Sequence, residues 1–242
     1  MSCCRSTARQ QAVPIEKMPL SDTFNSRVDD MIKVICVGES GIGKTLLILR
    51  LAGQPIDITS VATIGVDTYN FKIDIGNHPT KIGKNGKLTI QLWDTAGSER
   101  FHSVTRQYFM GAHIAFICFE LGDSSSFDKI NLWIQKLRES TPHRSEADSL
   151  KIFIVGTKAD QLTPTMEVAR PKDDARYAHL PYYETSAANN TGIEELRRIF
   201  YTIGVQQRNH RMDRERQNLA DVQALITKEI PSVPLTYQMG PK

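Results

Sequence analysis

The stretch Met31-Ile32-Lys33-Val34-Ile35-Cys36-Val37-Gly38-Glu39-Ser40-Gly41-Ile42-Gly43-Lys44-Thr45 decides how the rest of the chain is read. Its first half is a continuous apolar run of strand length that ends at a glycine. Parallel strands buried on both faces have this pattern. Its second half matches G-x-x-x-x-G-K-[ST] at Gly38, Gly43, Lys44 and Thr45, and a helical pattern follows at Leu46–Leu51. Glycines let such a backbone turn so that the N–H groups from Glu39 through Gly43 point inward, toward phosphate oxygens. A helix N-terminus adds partial positive charge, Lys44 reaches the β- and γ-phosphates, and the Thr45 hydroxyl can ligate Mg²⁺.

Outward from this cradle, strand, loop and helix recur. Apolar runs at Ile114–Phe119 and Lys151–Val155 each lead to a loop and a helical pattern, Phe127–Arg138 and Ile193–Gln206 being the clearest. That alternation predicts a parallel sheet with helices on both faces. Val66–Ile75 and Lys87–Trp93 read as an antiparallel pair joined by a long polar turn, Gly76–Gly86. Residues 1–29 are polar and broken by Pro14 and Pro19, and read as a mobile tail. The expected organisation is therefore a tail at 1–29, an α/β domain at 30–206, and an extension at 207–242, partly helical and then irregular. In that extension Leu219, Val222 and Ile226 share a helical spacing before Pro231 and Pro234. They read either as a docking stripe or as a helix folded back on the domain.

Composition narrows the classes. The 242 residues are 40% hydrophobic and 24% charged, as in a soluble globular protein, and the net charge of +3 is too small to argue for nucleic acid. Cys36 and Cys118 fall inside buried strand patterns, and Cys3 and Cys4 are adjacent near the start. None has disulfide or metal spacing, so a reducing, cytoplasmic setting is expected. No apolar stretch is long enough to span a bilayer, and Arg5, Arg9, Gln10 and Gln11 interrupt any signal-peptide core.

Three further motifs give the cradle a base to hold. Asp94-Thr95-Ala96-Gly97 stands at the end of a strand pattern, where Asp94 can hold Mg²⁺ opposite Thr45 and the Gly97 N–H can meet a γ-phosphate. In Thr157-Lys158-Ala159-Asp160, the Asp160 carboxylate can accept from the ring N–H and exocyclic amine of guanine, which adenine cannot offer. The stem of Lys158 can lie over that base. Glu184-Thr185-Ser186-Ala187 follows a short strand pattern at Pro181–Tyr183, and a backbone N–H of Ser186-Ala187 can reach the guanine carbonyl.

These four elements, in this order over about residues 30–206, resemble the small-GTPase superfamily, with the Rab family as the nearest likeness. Thr63-Ile64-Gly65-Val66-Asp67, Leu92-Trp93, Glu99-Arg100-Phe101 and Tyr108-Phe109-Met110-Gly111-Ala112 carry the Rab likeness. The resemblance implies a P-loop NTPase fold with a six-stranded, mostly parallel sheet. It implies guanine nucleotide and Mg²⁺ as ligands, with Thr45, Thr63 and Asp94 at the metal. Lys44, Gly97 and the residue after it would be the catalytic positions. Thr63, nineteen residues after Lys44, would be the switch-I threonine, and switch II would run from Gly97 to about Met110. Effectors, an exchange factor and an activating protein would act through the two switches.

The chain departs from the family in four places. Ser98 stands where a glutamine usually orients the attacking water, and is too short to make that bridge, which predicts slow intrinsic hydrolysis. In this class an arginine supplied by a partner contributes about 10³–10⁵ in rate, so an activating protein can compensate. Thr157 replaces the usual Rab asparagine, as in Rho-type GTPases, and Ile56 replaces an aromatic ring that leans on the base, which predicts faster exchange unless a neighbouring side chain covers the base instead. No cysteine follows Cys118, so the usual Rab prenyl anchor is not expected, nor, with Ser2 at the second position, is myristoylation. Palmitoylation of Cys3 or Cys4 is the remaining lipid option, and stable anchoring takes two signals, so membrane association at most peripheral, through partners, is expected. The 76–86 turn is about eight residues longer than the usual family hairpin and reads as a solvated basic loop. Two functional readings follow: a slow GTPase switch in vesicle traffic, or a largely GTP-locked binding module favoured by Ser98. A P-loop kinase or ATPase would use the first motif alone and leaves Asp160 and Ser186-Ala187 without a role.

Overall fold

A computed structural model describes residues 30–56, 63, 65–74, 87–95, 107–140 and 149–229. Its six strands are β1 (Asp30–Val37), β2 (Val66–Asp74), β3 (Lys87–Thr95), β4 (Ile114–Glu120), β5 (Lys151–Thr157) and β6 (Tyr182–Glu184). They form one sheet in the order β2-β3-β1-β4-β5-β6. Every pairing is parallel except β2 with β3. The helices are α1 (Lys44–Leu51), α2 (Ser124–Asp128), α3 (Ile130–Ser140) and α4 (Ile193–Glu229), with single 3₁₀ turns at Ala159–Gln161 and Pro171–Asp173. The expected six-stranded, mostly parallel α/β architecture is the one observed.

Because successive strand residues point to opposite faces, β1 alone feeds two cores. Ile32, Val34 and Cys36 meet Leu47, Ile48 and Leu51 of α1 and Leu196, Phe200 and Ile203 of α4. Ile35 and Val37 face the other way, toward Ile130, Trp133, Ile134 and Leu137 of α3. Burying each such aliphatic or aromatic side chain contributes about 1.5–3 kcal/mol. The sheet is thus clamped from both sides, and the C-terminal ends of β1, β3, β4 and β5 are brought to one edge. Ligands of open α/β sheets bind at that edge.

Two helical expectations need correction. The run expected as one helix at Phe127–Arg138 is split into α2 and α3. Asp123 caps α2, its carboxylate accepting from the Ser125 N–H, and starts the helical segment earlier than hydrophobic spacing suggests. The terminal helix, expected at Ile193–Gln206, continues to Glu229 and crosses the 206/207 boundary without a break. From Asp213 to Leu225 every residue is exposed, with Leu219 at 64%, Val222 at 53% and Leu225 at 59%, so this stretch is not folded back on the domain. The 76–86 turn, the N-terminal 29 residues and Cys3 and Cys4 lie outside the described residues.

Gly204 lets α4 pack hard against the sheet. A Cβ there would overlap the Leu88 side chain, itself fully buried in β3. Gly204→Ala is expected to lower stability by about 1–3 kcal/mol, despite the better helix propensity of alanine. A thermal or denaturant melt checks this, and an unchanged or raised stability would show that Leu88 repacks freely.

Candidate functional site

Gly38 ends β1 in a conformation, φ 144°, that L residues rarely adopt, and a Cβ there would overlap the Cys118 carbonyl oxygen of β4. Only glycine lets the loop leave the sheet so close to its neighbour. Gly43, at φ 91°, caps α1 without a side-chain hydrogen bond, and no acidic residue occupies the first turn. The first N–H groups of α1 are therefore left for an external acceptor.

Lys44 lies inside this loop, 6% exposed. Its Nζ donates to the carbonyls of Gly38 (3.0 Å) and Glu39 (2.6 Å). Burial pulls its pKa below the usual lysine range, while nearby Asp94 and other acidic groups partly restore it. Glu39 is tied to α3 by its carboxylate, which accepts from the Trp133 indole N–H at 3.2 Å.

Three oxygen-bearing side chains converge beside Lys44. The hydroxyls of Thr45 and Thr63 are 2.8 Å apart, and the Thr63 hydroxyl donates to Asp94 Oδ2 at 3.3 Å. Asp94 is fully buried, and its Oδ1 has no hydrogen-bond partner. An ionised carboxylate oxygen left without a partner is costly, and a hard divalent cation would satisfy it. One carboxylate and two hydroxyls suit Mg²⁺, which keeps several waters and takes phosphate oxygens as further ligands.

The opposite end of the site is built by the β5 and β6 loops. The Thr157 hydroxyl lies 2.6 Å from the Ile42 carbonyl and 2.9 Å from that of Phe119, so its one proton can tie the loop either to the cradle or to β4. Lys158 adopts a left-handed backbone, φ 57°, with its stem alongside Gly43 and its Nζ paired to Glu120 at 2.6 Å. Asp160 accepts a short hydrogen bond from Ser186 Oγ, which joins the third motif to the fourth. Thr185 locks the same junction, its N–H and hydroxyl both donating to the Gly156 carbonyl at 2.7 and 2.9 Å. Glu184 is held by Arg170 at 2.7 Å and by the Tyr182 hydroxyl at 2.9 Å.

Residues 33–208 match the Ras family model. The chain belongs to the Ras family of small GTPases. It is 34% identical over 173 residues to the GTP-binding protein ypt1 of Schizosaccharomyces pombe, a match covering 71% of this chain and 79% of that relative. The likeness is of Rab type, and membership of the family implies guanine-nucleotide and Mg²⁺ binding and GTP hydrolysis.

Of the residues singled out from sequence, Glu39 through Thr45, Thr63, Asp94, Thr157, Lys158, Asp160, Ser186 and Ala187 lie along one edge of the sheet. Gly97 and Ser98 lie outside the described residues, as does most of the segment expected as switch II. Glu120, Trp133 and Arg50 also hold the site together, and sequence reasoning missed them. A lone acidic residue at a strand end and a lone tryptophan in an amphipathic helix carry no signature; only topology places them beside Lys158 and Glu39.

Asp94 yields a pH-dependent expectation. Burial pushes its pKa above the ordinary aspartate value, against the lowering effect of Thr45, Lys44 and Thr63. For a carboxylate shifted upward, its contribution to stability is most favourable below the unfolded pKa. It is lost as pH rises through the folded value. Asp94→Asn is therefore expected to keep or raise the melting temperature of the metal-free, nucleotide-free chain at pH 7, and to abolish the further stabilisation by Mg²⁺ with GDP. Melts at pH 5 to 8 with and without Mg²⁺ check both halves. Equal stabilisation of the variant by Mg²⁺ would contradict them.

Proposed function

We propose that this chain is a Rab-like switch of intracellular vesicle traffic, with slow intrinsic GTP hydrolysis accelerated by an activating partner. The meeting of Lys44, Thr45, Thr63 and the unpartnered oxygen of Asp94 at the N-terminus of α1 supports this most directly. In this reading the cradle from Glu39 to Gly43 and the Lys44 ammonium bind the β- and γ-phosphates. Thr45, Thr63 and Asp94 hold Mg²⁺, which would neutralise charge between the phosphates. Asp160 reads the guanine ring N–H and amine, Lys158 covers the base, and the Ser186-Ala187 backbone meets its carbonyl. Thr157 ties the base loop to the cradle.

Thr63 and Gly97 would sense the γ-phosphate and so set the shape of both switches, through which effectors, an exchange factor and an activating protein act. Thr63 contacts Thr45 and Asp94, which supports its sharing a Mg²⁺ with them. Ser98, at the position that usually aligns water, supports slow turnover and equally the second reading, a chain that holds GTP nearly permanently and works as a scaffold. Among the described residues no helix is long and apolar enough to cross a membrane. In our reading the protein is cytoplasmic and is recruited to an organelle surface by partners.

Single-turnover GTP hydrolysis separates the two readings. The wild type is expected to exceed Lys44→Ala by a measurable margin, and Ser98→Gln to be faster than wild type by about tenfold or more. A wild-type rate equal to that of Lys44→Ala, with Ser98→Gln restoring turnover, would favour the GTP-locked module.

A further inference from the structure

We infer that Arg50, in the last turn of α1, is a positioning residue for guanine recognition, an inference that rests on the guanine reading above. Its Nε donates to the Ala187 carbonyl at 2.8 Å, across 137 residues of sequence. The other bonds of this loop are local or run to β5 and the segment that follows it: Ser186 N–H to Thr191 O, Asn189 N–H to Ser186 Oγ, Thr185 to Gly156, Ala159 N–H to Thr185 O, and Ser186 Oγ to Asp160. Arg50 instead attaches the loop to the helix that carries the phosphate cradle.

The attachment is braced from behind. Arg197 of α4 donates through Nε and Nη2 to the Leu51 carbonyl, at 3.2 and 3.1 Å, and through Nη2 to the Arg50 carbonyl at 3.1 Å. The last carbonyls of a helix lack partners one turn further on; that of Arg50 also accepts from the Gly53 N–H at 3.1 Å, and Glu194 holds the Arg197 guanidinium at 2.8 Å. The backbone of Arg50 is therefore fixed while its side chain reaches outward. From Lys44 to Arg50 the helix rises about 9 Å at roughly 1.5 Å per residue. Helix α1 thus acts as a spacer, with phosphate groups at its N-terminus and the base loop gripped from its last turn.

The consequence for recognition follows from backbone geometry. A residue has only two soft dihedrals between its N–H and its C=O. Holding the Ala187 carbonyl against Arg50 restricts where the Ala187 N–H points, and that N–H is the donor available to a guanine carbonyl. Without the bond the loop keeps its internal closure, but that donor is free to swing.

The test uses side chains that differ in what they place at the position of Arg Nε. Glutamine places an N–H donor the same number of bonds from Cα as Arg Nε, whereas methionine places a methyl group there. Arg50→Met is expected to speed GDP release about tenfold, the scale of one hydrogen bond, and Arg50→Gln to stay within about threefold of wild type. The paired ligand is 6-thioguanosine diphosphate, which keeps the ring N–H and amine for Asp160 but replaces the carbonyl oxygen with a poor acceptor. For that ligand Arg50→Met is expected to change release by no more than about twofold. Equal acceleration for both ligands, or Arg50→Gln releasing GDP as fast as Arg50→Met, would overturn the role of Arg50 and leave the guanine reading intact. A wild-type chain that binds ADP as tightly as GDP would overturn the guanine reading, and this inference with it.

Discussion

A lysine ammonium almost wholly withdrawn from water is the constraint around which the other parts are arranged. Among the described residues Lys44 donates to two backbone carbonyls, those of Gly38 and Glu39, and burial weakens its hold on its proton. An ammonium has three donors, so beside these two bonds one N–H can serve an anion that reaches the loop. The uncapped N-terminus of α1 adds unpaired N–H groups at the same point. Positive potential there is kept only because Gly38 can pass hard against β4 and Gly43 can turn into the helix. The buried oxygen of Asp94 a short distance away is the complementary strain, a negative group without a partner. Metal and triphosphate together would relieve both, which makes ligand binding and local stability one problem.

Helix α1 ties this phosphate end to the base end. Its apolar face, Leu47, Ile48 and Leu51, locks it into the core, so its two ends cannot drift independently. Thr157 reaches the cradle from β5, and Arg50 reaches the β6 loop from the last turn of the helix. Of the departures from the family pattern, Ser98 and Ile56 bear in our reading on turnover and exchange, whereas Thr157 is itself part of this frame.

Much of this was legible in the sequence because it rests on local rules. The run Met31–Val37 followed by Gly38–Thr45 is strand, turn and helix by hydrophobic pattern and glycine placement alone, and the parallel strands share the same apolar signature. Boundaries were less legible. Asp123 caps a short helix that apolar spacing does not register, and the polar residues after Gln206 conceal that the helices expected on either side of that point are one, running to Glu229. Glu120, Trp133 and Arg50 could not be read at all. Each acts on a residue distant in sequence, at separations of 38, 94 and 137, and a single charged or aromatic side chain does not announce its partner.

The central claim is that this edge of the sheet holds a guanine nucleotide with Mg²⁺, and the nucleotide that accompanies the purified protein tests it most directly. Protein purified in Mg²⁺, denatured in acid and analysed by ion-exchange chromatography is predicted to release stoichiometric GDP or GTP. The same protein treated with a chelator is predicted to lose it. Recovery of an adenine nucleotide, or of guanine nucleotide whose retention ignores chelation, would contradict the account.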